Sequence, residues 1–216
     1  MARYENRYEQ IRDVLQTGDI LLFSSDSPIM RLWKRLTACH WTHVGIAMRS
    51  AETDQLLLWE STPLKTICDV HSHRAQSGVQ VVLLSLRTAT YKGEVSYRRL
   101  DFSQADAGVT REGLSLKLTA FRQAVKNRPF EADLGKILKA FIDITKSRRK
   151  GADLRRVFCS ELVAAAFKHA GFIDEGLPDE EYTPKDFVER PDILGQGVKL
   201  GPIRVFKFKP QRLHRE

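Results

Sequence analysis

The sequence predicts a single α+β domain over residues 1–216. Short apolar segments with strand-like alternation are interspersed with longer segments in which apolar residues recur at helical spacing. A chain of 216 residues can form one compact domain with a sizeable core, and no internal repeat, low-complexity stretch or long linker divides it.

The individual elements follow from alternation, spacing and turn residues. Segments typical of strands lie at residues 20–23, 41–48, 56–60, 79–86 and 203–208. Segments typical of helices lie at residues 3–15, 29–37, 114–125, 134–144, 158–170 and 183–189. A polar turn separates the second and third strands, which predicts an antiparallel hairpin. Residues 91–111 are polar and irregular and indicate no clear element.

Composition and cysteine content narrow the class of protein. Apolar residues make up 42% and charged residues 29% of the chain, which is ordinary for a soluble globular protein. No stretch approaches the roughly 20 apolar residues that cross a bilayer, and the N-terminus lacks the apolar core of a secretory leader. Three widely spaced cysteines argue against a disulfide framework or a cysteine-rich zinc site. We therefore expect a reducing compartment, the cytoplasm.

The formal net charge is +8, and much of the excess lies at residues 146–156 and 207–215. These segments are a solvated basic loop and a basic terminus, or they attract an anionic partner such as a lipid surface. Nucleic acid is a weak candidate because no basic stripe interleaved with aromatic residues is present.

Cys159 is the first candidate for chemistry, since it stands at the start of the predicted helix 158–170. Unpaired N–H groups and the helix dipole favour a thiolate in the first turn of a helix, and the thiolate is the nucleophilic form. The alternative is a small apolar residue at the start of a buried helix. Cys39 and Cys68 have no adjacent base and are expected to be ordinary buried thiols.

His43 lies in the predicted strand 41–48, on the face that also carries Gly45 and Ala47. These small neighbours leave space for another group and for a substrate. The alternative is a core histidine that is satisfied by a backbone carbonyl.

Glu60 lies on the return strand of the predicted hairpin, directly across from His43 or diagonal to it if the register shift is even. A carboxylate there would orient the imidazole and select its tautomer, as the third member of a triad does. The alternative is an exposed glutamate at a strand end. Together the three residues predict a Cys-His-Glu arrangement for nucleophilic catalysis.

Several segments resemble the signature blocks of the circularly permuted NlpC-type, papain-like superfamily, specifically its YiiX-like branch. They are TGDILLF (17–23), WTHVGIA (41–47), LLLWEST (56–62) and FCSELVA (158–164), joined by connecting blocks at NRPFE (127–131) and YTPKDF (182–187). The resemblance is in order along the chain and spans residues 17–187. As in this branch, and unlike papain, the histidine precedes the cysteine.

The resemblance implies a permuted papain-like fold of the α+β class, in which a helix with Cys159 packs on a small antiparallel sheet with His43. It also implies that Cys159 is the nucleophile, His43 the base and Glu60 the third catalytic residue. Such a cysteine hydrolase would be an amidase or peptidase (a thiol protease) that cleaves a small amide or peptide through a thioester. It needs no cofactor and no metal.

Two alternatives remain open at this point. The first is an acyltransferase or thioesterase that acts on an acyl substrate at an anionic lipid surface, although no strongly amphipathic membrane anchor is evident in the sequence. The second is a binding module that keeps the fold without turnover. We expect substrate specificity to come from residues 91–111 and from the loop at residues 146–156.

Other polar residues have simpler interpretations. Asp19 precedes the first strand, where capping of a turn is the expected role. His71 and His73 form an HxH motif, but further metal ligands at a recognisable spacing are missing. His40 is expected to be incidental.

Overall fold

A seven-stranded antiparallel β-sheet forms the centre of the fold, with the strand order β1-β9-β6-β2-β3-β4-β5. The computed structural model describes residues 5–126, 154–174 and 176–208. Strands β7 and β8 form a separate two-stranded ribbon. The observed class is therefore α+β, as the sequence predicts.

The strands are β1 (Glu5–Asn6), β2 (Ile20–Ser25), β3 (His43–Arg49), β4 (Leu56–Thr62), β5 (Gly78–Leu83), β6 (Gly93–Arg98), β7 (Leu100–Asp101), β8 (Lys199–Leu200) and β9 (Arg204–Phe208). The helices are α1 (Tyr8–Ile11), α2 (Pro28–Thr37), α3 (Leu84–Thr90), α4 (Arg111–Lys126), α5 (Leu154–His169) and α6 (Asp186–Glu189), and a short 3-10 helix spans Asp179–Glu181.

The sheet is covered on both faces, because the residues of β2 and β3 alternate between two hydrophobic clusters. The cluster on the α5 side contains Ile20, Leu22, Val44, Ile46, Trp59, Cys159, Leu162 and Val163. The cluster on the opposite side contains Leu21, Phe23, Ala47, Leu58, Val82 and Leu84. Burial on both sides explains why residues 20–23 form a continuous apolar run rather than an alternating one.

Asp19 ties the entrance of β2 to neighbouring segments. Its buried carboxylate accepts hydrogen bonds from the backbone N–H groups of Gln16 (3.0 Å) and Leu100 (2.9 Å). The Arg111 guanidinium donates to the same carboxylate at 2.9 Å. These contacts agree with a structural role for Asp19.

Three predicted elements differ from the structure. The predicted helix 3–15 is a single turn at α1 that follows strand β1. The predicted strand 79–86 ends at Leu83, and α3 begins at the next residue, Leu84. The apolar run is therefore shared between two elements. The irregular segment 91–111 contains β6, which lies between β9 and β2 in the sheet.

The predicted helix 134–144 and most of the basic loop 146–156 lie outside the described residues. Within the described part of the chain, no helix combines the length and the apolar character that crossing a membrane requires.

Candidate active site

The β3–β4 hairpin brings His43 and Glu60 into contact. Ile46 pairs with Trp59 in this hairpin, so His43 lies diagonal to Glu60 on the same face. The Nε2 atom of His43 is 2.6 Å from Oε2 of Glu60. Gly45 lies between them, and a Cβ atom added there would be 2.7 Å from Cδ1 of Leu58 and 3.3 Å from Cβ of Glu60. The absence of a side chain at Gly45 therefore makes this contact possible.

Glu60 is fully buried, and its carboxylate is satisfied by three side chains. Besides His43, Gln80 on β5 donates from Nε2 to Oε1 at 3.0 Å. Arg87 on α3 donates from Nη2 to Oε2 at 3.2 Å, and its Nε atom lies 3.0 Å from Oε1. A buried carboxylate without such partners would be strongly destabilising.

These partners keep Glu60 ionised. Burial alone would raise the pKa of Glu60, but the charge of Arg87, followed by the contacts with His43 and Gln80, lowers it from 4.5 to about 2. An ionised Glu60 can only accept hydrogen bonds, so Nε2 of His43 must carry a proton.

Arg87 is held in place by two aromatic rings. Its guanidinium carbon lies 5.4 Å from the ring centre of Phe23 and 5.2 Å from that of Tyr91. The ring of Phe23 also lies 5.4 Å from the imidazole of His43. The cation is 3% exposed, and these rings fix its position under the sheet.

Cys159 approaches His43 from the opposite side of the sheet. His43 is the first residue of β3, at the end of the sheet, and its imidazole forms a hydrogen bond with the Cys159 thiol on α5. Because Nε2 is engaged with Glu60, Nδ1 is the nitrogen left for the sulfur. One ring thus links a sulfur on one face of the sheet to a carboxylate on the other.

The neighbours of His43 favour its protonated form. Burial alone would lower the pKa of His43, but attraction to the Cys159 sulfur and the hydrogen bond with it, followed by the contacts with Glu60, raise the pKa from 6.5 to about 9. At neutral pH these contacts favour the protonated imidazolium of His43 beside the Cys159 sulfur.

The position of Cys159 in its helix differs from the prediction. Helix α5 begins at Leu154, so Cys159 is in the second turn rather than the first. The N–H of Cys159 is therefore not one of the unpaired N–H groups at a helix start, and the helix dipole acts on it less strongly. The contact with His43, rather than the start of the helix, is therefore the main polar influence described at this sulfur.

The three thiols have different environments. Cys159 is fully buried, and the side chain of His43, at 13% exposure, is the more accessible member of the pair. Cys39 is buried as predicted, and its Sγ donates to the carbonyl of Trp41 at 3.2 Å. Cys68 is exposed, so the prediction that it is buried was wrong. It lies at the edge of a turn, where a single bridge to Ala75 leaves its side chain uncovered.

Two other described histidines, His40 and His71, have partners outside this cluster. His40 pairs with Glu94, with Nε2 and Oε2 2.6 Å apart, at a partly exposed position. His71 contacts the guanidinium of Arg122. In the described ranges, no group of three or more His, Cys, Asp and Glu side chains is arranged to hold a metal ion.

Residues 91–111, expected to shape specificity, are divided between the two ends of the sheet. Tyr91 stacks edge-on against Phe23 near His43, with ring centres 5.2 Å apart. Residues 99–102 and 109–111 instead line a cleft of about 690 Å³. Since Arg98 pairs with Ile20 and His43 pairs with Phe23, this cleft is at the end of the sheet away from His43.

Gln80 and Arg87, the partners of Glu60, were not predicted from the sequence. A signal for them was present, because a glutamate in the apolar segment LLLWEST must be neutralised if it is buried. The next cation inside an apolar segment is Arg87, in LLSLRTA.

Comparisons with known proteins show a distant similarity to a solved structure. No family model matches the chain, and no curated protein matches it. A crystal structure of the metalloprotein YiiX from Escherichia coli O157:H7 is similar, with 16% sequence identity and a TM-score of 0.40. The alignment covers 91% of this chain and 98% of that chain. Similarity at this level carries no functional argument, so the function is inferred from the site itself.

Proposed function

We propose that this protein is a cysteine-dependent acyl-transfer enzyme, an amidase or peptidase that hydrolyses a small amide or peptide. The proposal includes a permuted papain-like fold, for which the order of His43 before Cys159 and the resemblance of the sequence blocks provide support. The observation that carries it is the contact of one imidazole with both Cys159 and Glu60.

In the acylation step, the Cys159 thiolate attacks the carbonyl carbon of the substrate and a C–S bond forms. The carbonyl electron pair moves to oxygen and produces an oxyanion. When this electron pair returns and forms the carbonyl bond again, the C–N bond breaks. The imidazolium of His43 then gives its Nδ1 proton to the leaving amine. The products of this step are the free amine and a thioester on Cys159.

In the deacylation step, the now neutral His43 takes a proton from water at Nδ1. The resulting hydroxide equivalent attacks the thioester, the C–S bond breaks, and the carboxylic acid leaves. Glu60 holds the Nε2 proton throughout, so that Nδ1 always faces the sulfur. The proton on His43 and the negative charge on Cys159 are restored together.

The first test is thiol labelling with iodoacetamide, followed site by site with mass spectrometry. We expect Cys159 to label selectively near pH 6, where an ordinary thiol with a pKa of ~8.5 is almost entirely protonated and unreactive. His43→Ala should abolish this selectivity. Exposed Cys68 is the internal control, because it reports the rate of an accessible thiol without a base.

The second test is hydrolysis of a panel of small amides and dipeptides, measured as release of free amine. We expect Cys159→Ala to remove activity and Cys68→Ala to retain it. If Cys159 labels no faster than Cys39 or Cys68 and no amide is cleaved, the protein is a binding module instead.

A further inference from the structure

Helix α2 has an unusual outward face. Leu32 and Leu36 are 59% and 67% exposed, although most large apolar residues that the structure describes are in the two clusters. Their spacing of four residues places them on one stripe of the helix. Met30, on the inward side, is 5% exposed, so α2 is anchored to the protein by a different face.

Two arginines flank this apolar stripe. Arg31 and Arg35 are exposed and form a parallel stripe next to Leu32 and Leu36. Lys34 differs, since its Nζ lies 3.4 Å from Oδ1 of Asp26. Among the described side chains, Arg31 and Arg35 have no acidic partner within ion-pair distance. The outward face of α2 thus offers hydrocarbon and unneutralised positive charge together.

The location of α2 links this face to the candidate active site. The helix connects β2 to β3, and the N–H of Thr42 donates to the carbonyl of Phe23 at 2.8 Å where the two strands come together. His43 pairs with Phe23 at the same place. The end of the sheet that carries α2 is therefore also the end that carries His43.

We propose that the outward face of α2 docks the protein on an anionic membrane surface. An interface of this kind accepts exposed leucines into the acyl boundary and attracts arginines to lipid phosphates, which matches the two adjacent stripes. The net charge of +8 favours the same encounter. Although the sequence indicated no strongly amphipathic anchor, the burial pattern of α2 identifies one.

Docking would orient the end of the sheet with His43 toward the lipid. This inference goes beyond the proposed function and is independent of it, because the face of α2 contains none of the reacting groups. Cys159→Ala is therefore expected to bind vesicles as the unmodified protein does, so that failure of docking and failure of catalysis are distinguishable.

The test is flotation of the full chain with vesicles of phosphatidylcholine alone and of phosphatidylcholine mixed equally with phosphatidylglycerol. We expect binding to the anionic vesicles only. The double variant Leu32→Asp, Leu36→Asp should weaken it at least about tenfold. Arg31→Gln with Arg35→Gln should weaken it by up to about thirty-fold, and this effect should shrink at high salt.

The matched control is Leu116→Asp with Leu177→Asp, which changes two other exposed leucines (73% and 45%) in the same way. It should float like the unmodified protein. Circular dichroism checks that each variant is folded. If the leucine variant does not fold, the arginine variant still tests the proposal independently. Equal loss in control and α2 variants would overturn the proposal. Equal binding to neutral vesicles would also overturn it. So would a protein that is a dimer in solution and becomes a monomer when the α2 residues are changed, because the α2 face would then bind a second copy of the chain.

Discussion

Replacement of Arg87 by methionine tests the electrostatic support of the site most directly. Arg87 is the only cation besides His43 that contacts the Glu60 carboxylate among the described residues, and both side chains are almost completely buried. Methionine keeps an apolar stem between Phe23 and Tyr91 and removes the charge. The carboxylate then remains buried with His43 and Gln80 as its partners.

Breaking a buried ion pair by removing one partner typically costs about 3–5 kcal/mol, because the other charge is left uncompensated. For a domain of this size, each kcal/mol shifts the midpoint of thermal unfolding by roughly 2–4 °C. We therefore expect Arg87→Met to lower the midpoint by on the order of 10 °C at neutral pH.

The pH dependence gives an independent check. A carboxylate with a pKa of about 2 in the folded state and 4.5 when unperturbed stabilises the fold fully above pH 4.5. This contribution, on the order of 3 kcal/mol, is lost as the pH falls from 4.5 toward 2. Without Arg87 the folded-state pKa of Glu60 rises, so the contribution should be smaller and should disappear at a higher pH.

Thermal unfolding followed by circular dichroism, at several pH values, measures both effects. The double variant Glu60→Gln, Arg87→Met is the control, since it removes both charges and should be more stable than Arg87→Met alone. It should nevertheless be less active than the unmodified protein, because Glu60 orients His43 in the proposed mechanism. If Arg87→Met unfolds within about 1 kcal/mol of the unmodified protein, the ion pair does not stabilise the site as we argue.

Two further predictions concern His43 and Gly45. In the proposed mechanism the imidazolium of His43, with its pKa raised to about 9, protonates the leaving amine, so kcat/KM for amide hydrolysis should fall as the pH rises through about 9. Glu60→Gln should move this fall to lower pH, since removing the carboxylate charge lowers the pKa of His43; an unchanged pH profile would contradict the orienting contact. Gly45→Ala should destabilise the fold by about 1–3 kcal/mol in chemical denaturation, because the added methyl meets Leu58 and Glu60. Gly113→Ala is its control, as the nearest atom is 3.4 Å away, and equal stability of the two variants would contradict the packing argument.

The β3–β4 hairpin and the contact between His43 and Glu60 were predictable because side chains alternate regularly between the two faces of a strand. His43, Gly45 and Ala47 share a face in any strand, and an even register shift is sufficient to place Glu60 beside His43. The approach of Cys159 was predicted from the resemblance rather than from periodicity. No local pattern links residues that are 116 positions apart in a chain of 216.

Arg87 was not predictable from periodicity, for a physical reason. The apolar run that contains Leu83 and Leu84 fits a strand as well as the first turn of a helix, and the chain changes from one to the other between these two residues. The start of α5 at Leu154 was missed because the charged segment before Cys159 resembles a loop in composition. Charged residues are also common on the exposed side of a helix, so composition alone could not show where α5 begins.

Lys207 extends the support of the site to β9, the strand nearest the C-terminus among the described residues. Its buried ammonium, on β9, donates to the carbonyl of Thr88 and, at 2.6 Å, to that of Tyr91, at the end of the helix that carries Arg87. During synthesis, Cys159 leaves the ribosome before Lys207 does. The nascent chain therefore holds its thiol before the helix behind Glu60 is clamped, and we expect the candidate site to reach its final geometry only once β9 has been added.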